Sequence, residues 1–84
     1  MARFKAIESV VDGKTRVEYY RGKQLYYRIV ECDDGYYHAQ TDLKHGGGSY
    51  VPTLELAKQR IREHIELVDS IVGGRSTIKY QDKA

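Results

Sequence analysis

KTRVEYYRGKQLYYRIVECDDGYYHAQT, residues Lys14–Thr41, is the stretch on which the fold turns. It holds three adjacent tyrosine pairs, Tyr19–Tyr20, Tyr26–Tyr27 and Tyr36–Tyr37, each set among alternating or β-branched residues and separated by turn signals. Successive side chains of a strand point to opposite faces. Each pair therefore sends one ring inward and one outward. The punctuation Arg21-Gly22-Lys23 and Asp33-Asp34-Gly35 divides the stretch into strands at residues 14–20, Leu25–Cys32 and Tyr36–Thr41. Connections this short leave only an antiparallel meander.

Working outward, residues 3–11 read as an earlier strand. Val11-Asp12-Gly13-Lys14 joins it to the next, because Asp-Gly supplies the positive φ angles of a type I′ turn. Downstream, Asp42–Ser49 contains Gly46-Gly47-Gly48 and is expected to be a mobile loop. Pro52-Thr53 opens a helix, with Thr53 as the cap and Glu55 in the first turn. Leu54, Ala57, Ile61, Ile65, Val68 and Val72 form its apolar stripe, and Gly73-Gly74 ends it. Residues 75–84 read as a polar tail in which Thr77–Tyr80 could add an edge strand. The expectation is an α+β domain over residues 1–74, an antiparallel three- to four-stranded meander with one C-terminal helix packed on one face.

Eighty-four residues allow one core, and a chain of this length buries about 60–65% of its unfolded surface. No apolar run reaches the roughly 18 residues of a membrane span. The opening Met1-Ala2-Arg3-Phe4-Lys5 lacks the apolar stretch of a signal peptide, so a cytoplasmic location is expected. Cys32 is the single cysteine, which rules out an internal disulfide; it is read as a small apolar residue. The formal charge is +2, but it is unevenly placed. In residues 1–30, Arg3, Lys5, Lys14, Arg16, Arg21, Lys23 and Arg28 face Glu8, Asp12 and Glu18, a net +4, whereas residues 31–84 are net −2.

Assigning faces by apolarity puts Phe4, Ala6, Val17, Tyr19, Leu25, Tyr27, Ile29, Tyr37 and Ala39 inward. Lys5, Arg16, Glu18, Tyr20, Tyr26, Arg28, Tyr36 and His38 then point outward. In the third strand Tyr26, Val30 and Cys32 make an alternative buried set, and a one-residue slip would exchange the faces. The candidate partner-binding residues are Arg16, Tyr20, Tyr26, Arg28, Tyr36 and His38, since Tyr and Arg bring large contact area with a polar end. The blander account is that cross-strand tyrosines only stabilise a thin sheet, at about 0.2–1 kcal/mol per pair.

Other motifs fail in context. His45-Gly46-Gly47-Gly48 has the form of an oxyanion loop but no Gly-x-Ser-x-Gly elbow, and it lacks the Gly-Lys-Ser/Thr ending of a phosphate loop. Cys32, His38, His45 and His64 match no zinc-ligand spacing. No catalytic, metal or cofactor site is expected.

The run Tyr20-Arg21-Gly22, Asp34-Gly35-Tyr36-Tyr37-His38-Ala39 and Ser49–Ile61, with Thr53-Leu54, Ala57-Lys58 and Ile61 at the strand-to-helix junction, resembles small proteins of phages and mobile elements. Some of these resemble anti-CRISPR or other anti-defence inhibitors. A second likeness is to the arm-type DNA-binding domain of phage integrases, carried by Gly47-Gly48-Ser49-Tyr50, Thr53 and Ala57. This chain departs from it in a longer loop and an unmatched tail. The first likeness implies a non-enzymatic inhibitor or regulator that occludes a host protein or complex. The alternative is duplex DNA bound through the basic sheet, with Lys5, Arg16, Lys23 and Arg28 on phosphates or base edges. Homodimerisation by edge pairing or through the exposed tyrosines is a further expectation for so small a core.

Overall fold

Tight hairpins set the direction of the sheet. Asp12 and Gly13 both take positive φ, 54° and 78°, the I′ pattern that matches the twist of the flanking strands. They join β1 (Ala2–Val11) to β2 (Lys14–Arg21). Gly22, at φ 62°, opens the two-residue turn into β3 (Gln24–Glu31). The structure, a computed structural model, describes residues 2–72 and 76–82. The remaining elements are β4 (Tyr37–Asp42), β5 (Gly47–Val51), α1 (Leu54–Val72) and β6 (Ser76–Asp82).

The strand order is β5-β4-β3-β2-β1-β6. Strands β1 to β5 form an antiparallel meander, and β6 adds to the far edge parallel to β1. A parallel partner needs a crossover, and α1 supplies it by carrying the chain from one edge of the sheet to the other. The expected α+β architecture is present, with more strands than the three or four read from the sequence.

Two segments depart from expectation. Residues 42–49 are a hairpin rather than a loop. The Asp42 carboxylate accepts the His45 N–H at 3.2 Å and meets His45 Nδ1 at 2.9 Å. These bonds tie a four-residue turn that Gly46 closes at φ 75°, and they hold the Asp42 carboxyl below its usual range. Gly48 serves close approach: a Cβ there would stand 2.1 Å from the Ala39 carbonyl oxygen. The second departure is the segment read as a tail. Its suggested edge strand at 77–80 is real and longer, and Ile78 packs against the core as Tyr80 covers Tyr19. Gly73-Gly74, expected to end the helix, lie outside the described residues, as do Arg75, Lys83 and Ala84.

The helix begins as read. Thr53 Oγ1 accepts the Leu56 N–H at 3.2 Å, and the Thr53 carbonyl accepts the Ala57 N–H at 3.1 Å. It lies over β4 and β5, with lesser contact to β6 and β3. Ala57, Ile61 and Ile65 are buried against Phe4, Ala6, Val17, Tyr19, Tyr27, Ile29, Ala39 and Val51. Beyond Ile65 the buried line follows the four-residue row to Asp69, 8% exposed, while Val68 of the expected stripe is 38% exposed. Glu8 also faces the helix: its buried Oε1 meets Lys58 Nζ at 3.3 Å, an ion pair rather than an aligned hydrogen bond.

Candidate functional site

The helix covers one face of the sheet, and the chemistry concentrates on the other. Ladder pairing builds that face in rows of directly opposed residues. Lys5, Tyr20 and Leu25 form one row. Ile7, Glu18, Arg28, Gln40 and Gly48 form the next, and Ser9, Arg16, Val30, His38 and Tyr50 the third. Of the sequence-derived candidates, Arg16, Tyr20, Arg28 and His38 are therefore brought together.

Two candidates are not. Tyr26 was expected outward, beside Tyr20. The ladder slips between Tyr19 and Tyr20, so that Tyr19 opposes Tyr27 but Tyr20 opposes Leu25. The extra residue is Tyr26. A β-bulge of this kind re-aims its side chain. The Tyr26 ring turns to the helix side and meets Phe4 edge-on at 5.8 Å and Tyr27 at 6.2 Å, and the Arg21 guanidinium stands over it at 5.2 Å. The same slip moves Leu25, expected inward, onto the face of Tyr20. Tyr36 leaves the ladder altogether. It sits in the turn before β4, 47% exposed, its N–H given to Asp34 Oδ1 at 3.0 Å and its carbonyl accepting the Cys32 N–H at 2.7 Å. The expected tyrosine row is thus reduced to Tyr20.

What replaces it is a polar chain across β3, β4 and β5. Arg28 Nε donates to Gln40 Oε1 at 3.0 Å, which orients the amide so that Gln40 Nε2 faces His38 Nδ1 at 3.3 Å. An amide –NH2 can only donate, so His38 Nδ1 is the acceptor in this contact. The His38 ring in turn stacks on Tyr50, centroids 4.3 Å apart and planes at 9°. Tyr50 is 65% exposed. The sequence reading missed Tyr50 and Gln40. The alternation of Tyr50 with buried Val51 was the available signal, and the glycine run before it hid the strand.

Charge separates along with the faces. Among the described side chains of β1 to β3, strand alternation gives the uncovered side Arg3, Lys5, Lys14, Arg16 and Arg28 against Glu18, net +4. Lys14 is paired with Asp33 in the neighbouring turn. On the helix itself Lys58, Arg60 and Arg62 stand against Glu55, Glu63, Glu66 and Asp69. Bonds from Gln59 and Arg60 hold the Glu63 carboxyl below its usual range. The charge gradient along the chain is now a gradient through the molecule.

The remaining ionisable groups are dispersed. His64 packs edge-on against Tyr27 at 5.3 Å, His45 belongs to the β4–β5 turn, and Cys32 Sγ lies 4.0 Å from the Val30 carbonyl. Among the described residues, no group of three or more His, Cys, Asp or Glu side chains is gathered as a metal site would need. Nor is any helix of the described residues long and apolar enough to cross a membrane.

Fold and site together define a class: a small α+β domain with one helix-covered face and one cationic, partly aromatic face left open. Comparison with known proteins finds no matching family model, curated protein or solved structure.

Proposed function

We propose that this protein is a non-enzymatic nucleic-acid-binding module that engages the phosphate backbone through the uncovered sheet face. The observation that carries this reading is the collection of Arg3, Lys5, Arg16 and Arg28 on the face the helix leaves free, with Glu18 the one acid that β1 to β3 place among them in the described residues. Neutralising phosphates with such side chains releases counterions, and binding then weakens steeply with salt. Anisotropy of labelled DNA against salt tests it. Arg16→Glu/Arg28→Glu should abolish binding, and Arg60→Glu/Arg62→Glu on the helix should leave more than half of the affinity. Equal loss from both double variants, or no binding by the parent chain at low salt, removes the reading.

A second reading keeps the same face and changes the partner. Ile7, Leu25 and Val30 lie among the cations, and apolar centres ringed by polar groups also suit a protein interface. In that case the domain covers an acidic surface of a host-cell protein stoichiometrically, as a phage-encoded inhibitor of the anti-CRISPR type would. A one-to-one complex captured from host extract by the parent chain but not by Arg16→Glu/Arg28→Glu, with no affinity for DNA, is the outcome that selects it.

A further inference from the structure

The geometry points to a more specific ligand: a short single strand of nucleic acid lying diagonally across the uncovered face, with bases stacked on Tyr20 and Tyr50. This rests on the nucleic-acid reading and narrows it. The ladder rows place Lys5 and Tyr20 on β1 and β2, Arg28 one row further on β3, Gln40 beside it on β4, and the His38–Tyr50 stack one row further again on β4 and β5. A line drawn through them meets cation, ring, cation and ring in turn. With strands about 4.8 Å apart and alternate residues about 6.8 Å apart along a strand, Tyr20 and Tyr50 stand roughly 20 Å from each other. That length suits a strand of a few nucleotides, within the roughly 4–16 nucleotides that sheet-surface sites occupy.

Two features select a single strand over a duplex. The sheet is six strands wide, about 24 Å at that spacing, whereas the major groove is about 12 Å wide and admits a helix or a two-stranded ribbon. Exposed rings, moreover, find a stacking partner only on bases that are not already stacked on each other. Tyr50 has such a surface, 65% exposed and backed in parallel by His38. Arg28 is held between the two rings by its bond to Gln40 at 3.0 Å, so a phosphate between two stacked bases meets a pre-positioned guanidinium.

The test is anisotropy with labelled oligo-dT of about twelve nucleotides and a mixed-sequence duplex of equal length. The single strand should bind at least tenfold more tightly than the duplex at low salt. Tyr50→Ala and Tyr20→Ala should each weaken single-strand binding by about 10-fold at unchanged salt slope, since stacking carries no counterion release. Tyr50→Phe should restore it, and Tyr36→Ala in the turn should change nothing. Arg28→Ala should lower the slope of log affinity on log salt by about 0.7. Circular dichroism melts of each variant confirm the fold. Duplex bound as tightly as single strand, with the tyrosine variants neutral, overturns the track and leaves the backbone-binding reading standing. Binding of neither probe overturns both.

Discussion

The two faces of this sheet are built from alternate residues of the same strands, yet they obey different rules. On the helix side Val17, Tyr19, Ile29 and Ala39 are fully buried, and each position is judged by how it packs. On the open side Arg16, Glu18, Arg28 and His38 keep partial exposure, and each is judged by what it can contact. Tyr19 and Tyr20 are the sharpest instance, neighbours in sequence with opposite fates. Tyr19 has no exposed surface, gives its hydroxyl to a bond with the Tyr80 hydroxyl at 3.1 Å, and packs edge-on against that ring at 5.9 Å. Tyr20 stands between Lys5 and Leu25 on the free face. Burial therefore says little about residue type here and much about strand parity.

If that division is right, substitutions should separate cleanly by face. The largest effect belongs to the covered side: Ile61→Ala should lower the unfolding free energy by about 2–5 kcal/mol, read from urea melts, because it opens a cavity where the helix meets the sheet. Gly48→Ala comes next at about 1–3 kcal/mol, since its methyl must displace the backbone of Ala39. A loss near zero would mean that β5 does not approach β4 closely at Ala39 and Gln40.

Alkaline pH probes the same division without a cavity. Burial raises the Tyr19 phenol above its ordinary value of 10.0, helped by the bond to Tyr80, and burial raises Tyr27 as well. The folded chain thus holds these protons more tightly than the unfolded one. Their contribution is complete below pH 10 and falls above it, by about 1.4 kcal/mol per pH unit for Tyr19. Tyr19→Phe should flatten that decline, and an unchanged slope would remove Tyr19 as its source. Thr53→Ala should cost about 1 kcal/mol through the lost cap. Smallest of all, Arg16→Ala/Arg28→Ala should shift stability by less than about 0.5 kcal/mol per site while removing binding. A large loss of stability from that pair would make the open face structural and dissolve the contrast.

Much of the covered face was legible because its signals are local. Asp12-Gly13 dictates a turn, alternation then dictates parity, and Thr53 with Ala57, Ile61 and Ile65 dictates which way the helix lies. The candidate site was legible only in part. Arg16, Tyr20, Arg28 and His38 follow from parity, whereas Tyr26 was misplaced because a bulge is a property of two strands and leaves no mark in either one. Glycine misled in the same manner. Gly47 and Gly48 have the composition of a loop, and their role in a strand depends on how near the backbone of β4 comes.

By itself, then, the amino-acid order determined the strands and hairpins up to residue 42, the helix, and the parity of those strands except at the Leu25–Tyr26 end of β3, all of which depend on neighbours a few positions away. The tertiary structure alone decided that Ser76–Asp82 returns to lie parallel beside β1, that Tyr26 joins Phe4, and that Tyr50 stacks on His38. Those outcomes come from contacts between segments far apart in the chain, where the energy of pairing depends on register and approach and not on any single segment's preference.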